Sequence, residues 1–564
     1  MKMKIKSRLL FVASLLFTLF LSVLCGLGFI KPTFKVSANN ATFEMVSGAS
    51  VRLVADDPGI RFMASISKDE YDAVKNANGT FGMFILPNSY RETAEINEAN
   101  AFGDNATYCW GSAVDGKTQI VQCTATELTQ TSADGNTYYF VCALTNIKPQ
   151  NYELDFFARA YYEVNGVRTW ADLNEENVRS ISYVAQKALG DVNYTPTEAG
   201  QKALVEYVTQ FVEVGETEGE VTLSIADIEE YPTILVDGEE AEQELIETGV
   251  ILSGISKGRH TATVEFDDGT TWDIPFVYAD YVLRTEADIN EWIDFVASQT
   301  SGITTENGKY VVVANNIVCG GDKLHADTTG GTVMGTTFDG YGHAITNFKT
   351  GDSSYGFMGK TMASNSVVKD IILECLENRS KTAGLFGTAS TGTFENVYIY
   401  MKKHQRSGNS TAGQAYVLSG NINKATIKNC VVYDNSRDYN ATATSNYDTY
   451  GMYAGALGWL NPTKETQINE LSNVVVITTG HVISSYGNHA ATDVNSVAYG
   501  KDLYKSATGY QYAATSANVS AVSTKDSTAQ IAALKAFATN SENWTFDETT
   551  NTLYLLGNAV YTVK

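Results

Sequence analysis

The chain has 564 residues and a formal net charge of −24 at pH 7, with 46 glycines, 32 tyrosines and only 8 prolines. An acidic surface repels phosphate, so this charge argues against nucleic acid as a partner. The length suggests about three or four domains. The excess of Tyr and Gly over Pro favours strands joined by glycine turns rather than proline-rich linkers.

The first 38 residues predict export. A basic leader, MKMKIKSR, precedes an apolar run from Leu9 to Ile30, and the small residues Ser37 and Ala38 follow. This order is typical of a secretory signal peptide over residues 1–38, cleaved after Ala38. The apolar run is also long enough to cross a bilayer, so an uncleaved anchor is the alternative and would be the only membrane contact. We therefore expect a secreted, extracellular protein, either free or associated with the cell wall or cell surface.

Residues 39–215 predict an α+β domain. Strand-like runs occur at 50–54, 59–66, 81–86, 138–144 and 154–164, and two segments with helical spacing follow, over 178–188 and from Thr195. We expect the helices to pack on one face of an antiparallel sheet.

Two arginines of this domain are candidate ligand-binding residues. Arg61 and Arg159 stand in the middle of predicted strands among apolar neighbours. An arginine beside aromatic rings can bind a carboxylate or stack on a sugar. A structural ion pair, or a solvated strand face, is the simpler interpretation.

An acidic segment follows. Residues 213–280 contain eighteen acidic and two basic residues, a net −16 out of the chain's −24. Short alternating runs, with a turn at Asp267-Asp268-Gly269, predict a small β-sandwich over residues 216–280. Asp267, Asp268 and Asp273 make calcium binding possible, although a solvated turn explains these residues more simply.

The cysteines do not indicate a metal site. The chain has no C-x-x-C pair, which argues against zinc, and we expect no other cofactor. Cys109, Cys123 and Cys142 lie close enough in sequence for one disulfide. Single buried cysteines are the simpler interpretation.

Residues 281–564 contain a repeat. The unit apolar-x-(Asn/Asp)-apolar-x-apolar places Asp370, Asn396, Asn429 and Asn473 in register, 26, 33 and 44 residues apart, after glycine motifs such as GFMG and GLFG. A repeat of about 25 residues with growing insertions predicts the coils of a parallel β-helix. The phased Asn and Asp predict a ladder of side-chain amides at one corner. A helix over 286–296 and the segment after 497 should cap the two ends.

These motifs resemble known families. GIRF, ARAYY and RSISYVA resemble a module of large secreted proteins of anaerobic Gram-positive bacteria, and GRHT with GTTW resembles the last hairpin of bacterial Ig-like domains. GTTFDGYGHAITNF and the G-(F/L)-(F/M)-G units resemble the pectin-lyase-like right-handed parallel β-helix and the glycine-rich short repeats of bacterial surface β-helices. The resemblance implies a mainly β protein, with a C-terminal right-handed parallel β-helix preceded by an Ig-like β-sandwich and an α+β domain.

The same resemblance raises the question of catalysis. Hydrolysis of a glycosidic bond requires two carboxylates at a defined separation. The strand-borne acids of the repeat region are Asp339, Asp370, Glu374 and Glu395. They show no evident pairing, and His343 lacks the flanking residues of hydrolases of this fold. We therefore assign no catalytic residue and expect binding rather than catalysis.

The longest insertion, between Asn429 and Asn473, is the best binding candidate. Its aromatic residues, set among Asn, Asp, Ser and Thr, include Tyr439, Tyr447, Tyr450, Tyr453 and Trp459. Tyrosine offers rigid amphipathic area that suits sugars, although these rings would also serve to pack the loop onto the coils. A basic island at residues 402–406 is a second candidate for an anionic polymer, or a solvated loop tip.

We expect a monomeric adhesion protein that binds carbohydrate, either an extracellular glycan or a host or wall surface polymer. A β-helix polysaccharide lyase or glycoside hydrolase is the alternative, and a structural spacer or scaffold is the second.

Overall fold

The protein is mainly β. The computed structural model describes residues 43–53, 59–88, 113–114, 118–119, 121–125, 130–145, 147, 149–172, 174–191, 194–225, 233–247, 249–265, 271–299, 302–324, 331–350, 356–363, 365–379, 384–387, 389–404, 417–422, 424–435, 455–460, 470–478, 481–485 and 519–564. Strands account for about half of these residues, which confirms the predicted class. The predicted signal peptide lies outside them. None of the helices within the described ranges has the length and apolar character needed to cross a membrane.

The chain divides into two compact units. One contains the described residues up to Gln210 together with Glu220–Ile255 and Arg259–Phe276. The other contains Phe211–Gly219, Ser256–Gly258 and Val277–Lys564. The domain boundaries predicted above stay predictions.

The N-terminal part contains antiparallel sheets and helices. Its strands are β1 (Phe43–Met45), β2 (Ser50–Arg52), β3 (Gly59–Ser67), β4 (Thr80–Pro87), β5 (Ala113–Val114), β6 (Thr118–Gln119), β7 (Val121–Ala125), β8 (Gln130–Thr131), β9 (Thr137–Thr145), β10 (Phe156–Val164) and β11 (Val167–Trp170). Its helices are α1 (Lys68–Asn76), α2 (Ile181–Leu189) and α3 (Glu198–Val208), with 3₁₀ turns at Pro149–Asn151 and Glu175–Asn177. The sheets are ordered β1-β3-β9-β8, with β2 on β3, and β11-β10-β4-β7, while β5 pairs with β6.

The two larger sheets and the helices share one hydrophobic core. The predicted strands and the last two helices are present, but the strands form two larger sheets where one was expected. The sequence analysis also missed α1. Ser67 caps this helix by accepting from the amide of Glu70 at 3.3 Å, and Val74 is its only buried residue. A helix with one buried position has no apolar stripe for sequence reasoning to detect.

The acidic segment forms two further sheets. Its strands are β12 (Gln210–Glu213), β13 (Val221–Ser224), β14 (Thr233–Val236), β15 (Glu239–Glu240), β16 (Glu242–Ile246), β17 (Gly249–Ser253), β18 (Gly258–Glu265) and β19 (Thr271–Ala279). They are ordered β12-β19-β18-β14-β15 and β13-β17-β16. Strands β18 and β19 are neighbours, as the predicted turn between them requires.

The C-terminal part is built on parallel strands. They are β20 (Tyr281–Leu283), β21 (Tyr310–Val313), β22 (Ile317–Val318), β23 (Thr332–Val333), β24 (Thr337–Asp339), β25 (Ala344–Lys349), β26 (Thr361–Met362), β27 (Val367–Glu377), β28 (Ala389–Ser390), β29 (Thr393–Met401), β30 (Thr426–Asp434), β31 (Gly455–Leu460), β32 (Glu470–Thr478), β33 (His481–Ser485) and β34 (Val519–Val522). The main sheet is ordered β20-β21-β24-β27-β29-β30-β32-β34, with β25 pairing both β22 and β27. Parallel pairs β23-β26-β28 and β31-β33 form two smaller sheets.

Two helices and a hairpin sheet accompany these strands. Helix α4 (Glu286–Ser298) follows β20, and a 3₁₀ turn occupies Thr305–Asn307. Helix α5 (Ser527–Thr539) precedes the antiparallel strands β35 (Trp544–Asp547), β36 (Thr552–Leu555) and β37 (Asn558–Thr562). The predicted helix over 286–296 is α4, and its Trp292 is buried and donates to the carbonyl of Phe357 at 2.7 Å.

The predicted side-chain ladder is present in part: Asn396 bonds to Asp370 and Asn473 to Asn429, but Asn396 Oδ1 accepts no bond. The strand register aligns Asp370, Asn396, Asn429 and Asn473. All four residues have a left-handed φ between 48° and 54°, which Asn and Asp tolerate better than most residues. Asn396 donates its amide to Oδ1 of Asp370 at 2.8 Å. Each of these residues therefore forms a corner in its strand, and Asn473 likewise donates to Oδ1 of Asn429 on the neighbouring strand at 2.8 Å.

The glycine motifs are also explained. The amide of Phe357 donates to the carbonyl of Leu385 at 2.9 Å, and that of Leu385 donates to Val417 at 2.9 Å. A Cβ atom at Gly356 would lie 1.9 Å from the carbonyl oxygen of Leu385. Successive backbones approach too closely here for any side chain, so the repeat requires glycine at this corner.

The C-terminal segment, residues 519–564, packs along the outer face of the parallel sheet. Its Trp544, Leu553 and Leu555 share a core with outer-face residues of four neighbouring strands, which are Ile372, Tyr398, Val431 and Val475. Asn558 reaches the carbonyl of Gly342 at 2.8 Å. The sequence analysis expected this segment to cap the end of the coils. Its β34 is the last strand of the sheet, while the hairpin strands also run across the outer face.

Candidate functional site

One outward-facing row of residues crosses the parallel sheet. Parallel pairing aligns Val318, Thr346, Glu374, Tyr400 and Tyr433, one from each of five successive strands. We call these five residues the tyrosine row. At about 4.8 Å between strands, the row is about 19 Å long.

These side chains face outward because of their position relative to the corner residues Asp370, Asn396 and Asn429. After the corner, successive side chains alternate between the core and the outer face. In β27, Leu373 and Cys375 are buried in the core, while Glu374 between them is half-buried on the outside. Tyr400 and Tyr433 lie four positions after Asn396 and Asn429, as Glu374 lies four after Asp370, so all three occupy equivalent positions. The sequence analysis overlooked Tyr400, and this constant offset is the signal that would have found it.

The row combines aromatic and polar groups. The rings of Tyr400 and Tyr433 meet edge to face, with centroids 5.2 Å apart. Asn435 donates its side-chain amide to the Tyr400 hydroxyl at 3.2 Å. Burial raises the pKa of Glu374 above its ordinary value. Such a surface offers ring faces to the apolar side of a sugar and a carboxyl and phenols to its hydroxyls.

The C-terminal segment borders the row on one side. Tyr561 stacks on Tyr398 with centroids 6.4 Å apart and meets Tyr433 edge to face at 5.3 Å. Its hydroxyl donates to Oε1 of Gln530 at 2.8 Å. Burial raises the pKa of Tyr398 and of Tyr561, so both are neutral phenols at neutral pH. This border is therefore an uncharged aromatic surface.

Basic residues border the row on its other side. The parallel register pairs Lys323 with Lys349 and Lys349 with Glu377. Glu377 forms ion pairs with Arg379 at 3.9 Å and Lys403 at 3.6 Å. Basic side chains outnumber acidic ones along this edge, on a chain whose net charge is −24.

The predicted basic island is only partly described. Lys402 is exposed and Lys403 half-buried, whereas His404 is 5 % exposed and belongs to the interior. Residues 405 and 406 lie outside the described residues. The island therefore begins at the basic edge of the tyrosine row.

Glu374 and Glu395, two of the acids considered as catalytic candidates, lie apart. Glu395 precedes its corner residue and stands in register between Lys369 and Lys428, whereas Glu374 follows its own corner and stands beside Tyr400. The two carboxylates thus lie on different segments of the sheet and do not form the facing pair that glycoside hydrolysis requires.

Asp339 is held within the fold. It is fully buried, accepts from the Tyr310 hydroxyl at 2.5 Å and from the Tyr341 amide at 2.9 Å, and lies 3.4 Å from the Lys369 ammonium. Asp339, Lys369, Glu395 and Lys428 alternate in charge along one row of the sheet. The sequence analysis missed this row, which precedes the ladder by one position. Its opposite charges stabilise neighbouring strands.

The two candidate arginines contact their own fold. Arg159 is 8 % exposed, donates to the carbonyl of Ala171 at 2.9 Å and stacks on Trp170 with its guanidinium carbon 5.7 Å from the ring centroid. Burial lowers its pKa. Arg61 is half-buried and donates to the hydroxyl of Ser50 at 3.0 Å. These contacts favour the structural interpretation, and a ligand-binding role for either arginine stays a prediction.

The aromatic insertion is mostly undescribed. Tyr439, Tyr447, Tyr450 and Tyr453 lie outside the described residues. Trp459 lies on β31, where its backbone pairs with Ser484. The insertion begins directly after β30, the strand that carries Tyr433. The predicted binding loop therefore starts two residues beyond the tyrosine row.

The structure gives little support for a metal site. Within the described residues, no group of three or more His, Cys, Asp or Glu side chains converges. Asp273 accepts from the Thr263 hydroxyl at 2.7 Å, while Asp267 and Asp268 lie outside these residues. Cys319, Cys375 and Cys430 are buried free thiols, and Cys142 is buried as well. Burial raises the pKa of Cys319 to about 12 and that of Cys430 to about 12, so neither is a ready thiolate ligand.

Comparison with known protein families, with curated proteins and with solved structures finds no match for this chain. Its function must therefore be argued from its own residues.

Proposed function

We propose that the protein is a secreted or surface-associated adhesion protein that binds a glycan along the tyrosine row. In this proposal the parallel strands form a right-handed β-helix, preceded by an Ig-like sandwich and an α+β domain. The observation that carries it is the alignment of Glu374, Tyr400 and Tyr433 on one face. Three neighbouring coils place one carboxyl and two phenols at equivalent positions, which suits a ligand with repeating units.

The chemistry of the row supports a sugar ligand. Sugar rings have apolar faces that stack on aromatic side chains and hydroxyls that hydrogen-bond to carboxylates and phenols. The strand spacing of about 4.8 Å is close to the length of one pyranose unit. A linear glycan lying across the strands would therefore meet one row residue per sugar.

Glycan-array binding tests the proposal. Tyr400→Ala and Tyr433→Ala should each weaken binding by about thirtyfold, the effect of losing about 2 kcal/mol at a binding hot spot. Tyr554→Ala is the matched control, because Tyr554 is a half-buried tyrosine on β36, outside the row. Wild-type binding by both row variants would contradict the proposal.

A reducing-sugar assay on uronic-acid polymers tests the enzyme alternative. Under the proposal the wild-type protein releases no sugar ends above the background of a heat-unfolded sample. Release that disappears in Glu374→Gln would favour a polysaccharide-cleaving enzyme instead.

A further inference from the structure

The tyrosine row differs in burial between its two ends. At one end, Val318 is 76 % exposed, and within the described residues its strand β22 pairs only with β25. Beyond Tyr433, the same register continues to Ile477 and then to Val522. These two side chains are 0 % and 8 % exposed. The row is therefore open at the Val318 end and closed after Tyr433.

The closure is a packed core rather than a loose contact. Ile477 and Val522 belong to the cluster formed with Leu534 and Phe537 of α5. The amide of Asn473, on the same strand as Ile477, also donates to the carbonyl of Phe537 at 3.2 Å. A ligand could pass this point only by displacing α5 and the residues packed beneath it.

This asymmetry restricts what can bind. An internal stretch of a long polymer must enter and leave a site, so it needs two open ends. The end of a chain needs only one. The tyrosine row runs from the exposed Val318 to the half-buried Tyr433, about 19 Å at the usual strand spacing, which is the length of about four sugar units of about 5 Å each.

We propose that the tyrosine row binds the end of a linear glycan chain, with the terminal sugar at Tyr433 and the rest of the chain leaving past Val318. This inference rests on the proposed function. It adds that the protein recognises chain ends, so that its capacity on a surface depends on the number of chains and not on their length.

A length series tests the inference. Linear β-1,4-glucan, β-1,4-xylan, chitin and α-1,4-galacturonan oligosaccharides of short, intermediate and long chain length are printed at equal molar density, through the reducing end and, separately, through the non-reducing end. We expect the amount of protein bound per mole of glycan chain to be the same for all chains that are longer than the site. We also expect binding to require one particular free end.

The outcomes are separable. Binding that rises in proportion to chain length, or that is indifferent to which end is free, overturns chain-end recognition while leaving glycan binding intact. Undiminished binding by Tyr400→Ala moves the site away from the row and overturns the inference as well. Failure of the wild-type protein to bind any of these probes counts against the proposed function itself.

Discussion

Asn473 donates its side-chain amide to Oδ1 of Asn429 over 2.8 Å, across strands that are 44 residues apart in sequence. The same bond joins Asn396 to Asp370. The two bonds form separate pairs, because Asn396 Oδ1 accepts no bond from Asn429. Asp370, the first member, has a side chain that needs only to accept, and the amide of the last, Asn473, also reaches the carbonyl of Phe537.

Replacing Asn429 with Leu should lower the free energy of unfolding by about 1–3 kcal/mol, because it leaves the amide of Asn473 without its side-chain acceptor. Leucine is also strained at the left-handed φ of 49°. Asn429→Gly separates the two effects, since Gly accepts this φ without strain. We expect the Gly variant to lose less stability in chemical denaturation. Equal melting of wild type and the Leu variant would contradict the ladder.

Gly356→Ala should destabilise the coils, by about 1–3 kcal/mol or more, because its Cβ would lie 1.9 Å from a backbone oxygen. Gly215→Ala is the matched control, because a Cβ there would meet nothing within 4 Å. Thermal unfolding of the two variants should differ clearly, with the control at or slightly above the wild type. A Gly356→Ala protein as stable as the control would mean that the backbones are farther apart than described.

Glu374→Gln should alter the pH dependence of stability. Burial raises the pKa of Glu374 in the folded protein, so the folded chain holds this proton more tightly than the unfolded chain. Stability from this group is then present below the unfolded pKa and falls as pH rises through the folded pKa. The Gln variant should therefore gain melting temperature over the wild type at neutral pH, and the gain should shrink in acid. Glu242→Gln, at an exposed site on β16, is the control, and matching profiles for all three proteins would refute the expectation.

Trp544→Ala should detach the C-terminal segment from the sheet. Trp544 is 1 % exposed, donates to the carbonyl of Asn429 at 3.1 Å and packs edge to face on Phe537 with ring centroids 5.2 Å apart. Truncating a buried Trp costs about 3–5 kcal/mol. Limited proteolysis followed by mass spectrometry should show new cleavage within residues 519–564. Trp544→Phe keeps a ring and should be cut less, and a protected Ala variant would show that the indole does not hold this segment.

The aromatic insertion has its own test. If Tyr447 and Tyr450 form a recognition surface, the double Ala variant should weaken ligand capture while its melting temperature stays at the wild-type value. Rings that only pack the loop would do the reverse. Testing Tyr400→Ala against the same ligand shows whether loop and row act together, because a loop and a row that bind different ligands would each lose only their own.

The main features of the repeat could be predicted from sequence because they recur. Asn and Asp at a fixed place in each unit predict a common corner, and the register of β27, β29, β30 and β32 confirms it. The four-residue offset that carries Tyr400 was equally visible but was not used. A feature shared by every repeat occurs several times in the sequence, so it can be recognised even where one repeat alone would be ambiguous.

The position of the C-terminal segment could not be predicted in this way. Its apolar residues, such as Trp544 and Leu553, show that it must pack on something, but not on what. The face it covers is made by Tyr398 and Val431, which the sequence analysis did not assign to an outer surface. Long-range contacts between a unique segment and a repeat leave no periodic signal, which is why an end cap was the natural but incomplete expectation.

The repeated corner at Asp370, Asn396, Asn429 and Asn473 has a consequence for how such a protein can change. The spacing between ladder residues grows from 26 to 44 along the chain, yet the side chain four positions after each corner still faces outward. The number of residues between two successive corners and the residue type at each row position can thus vary independently. A loop can therefore be lengthened, and a single row residue exchanged, without one change disturbing the other.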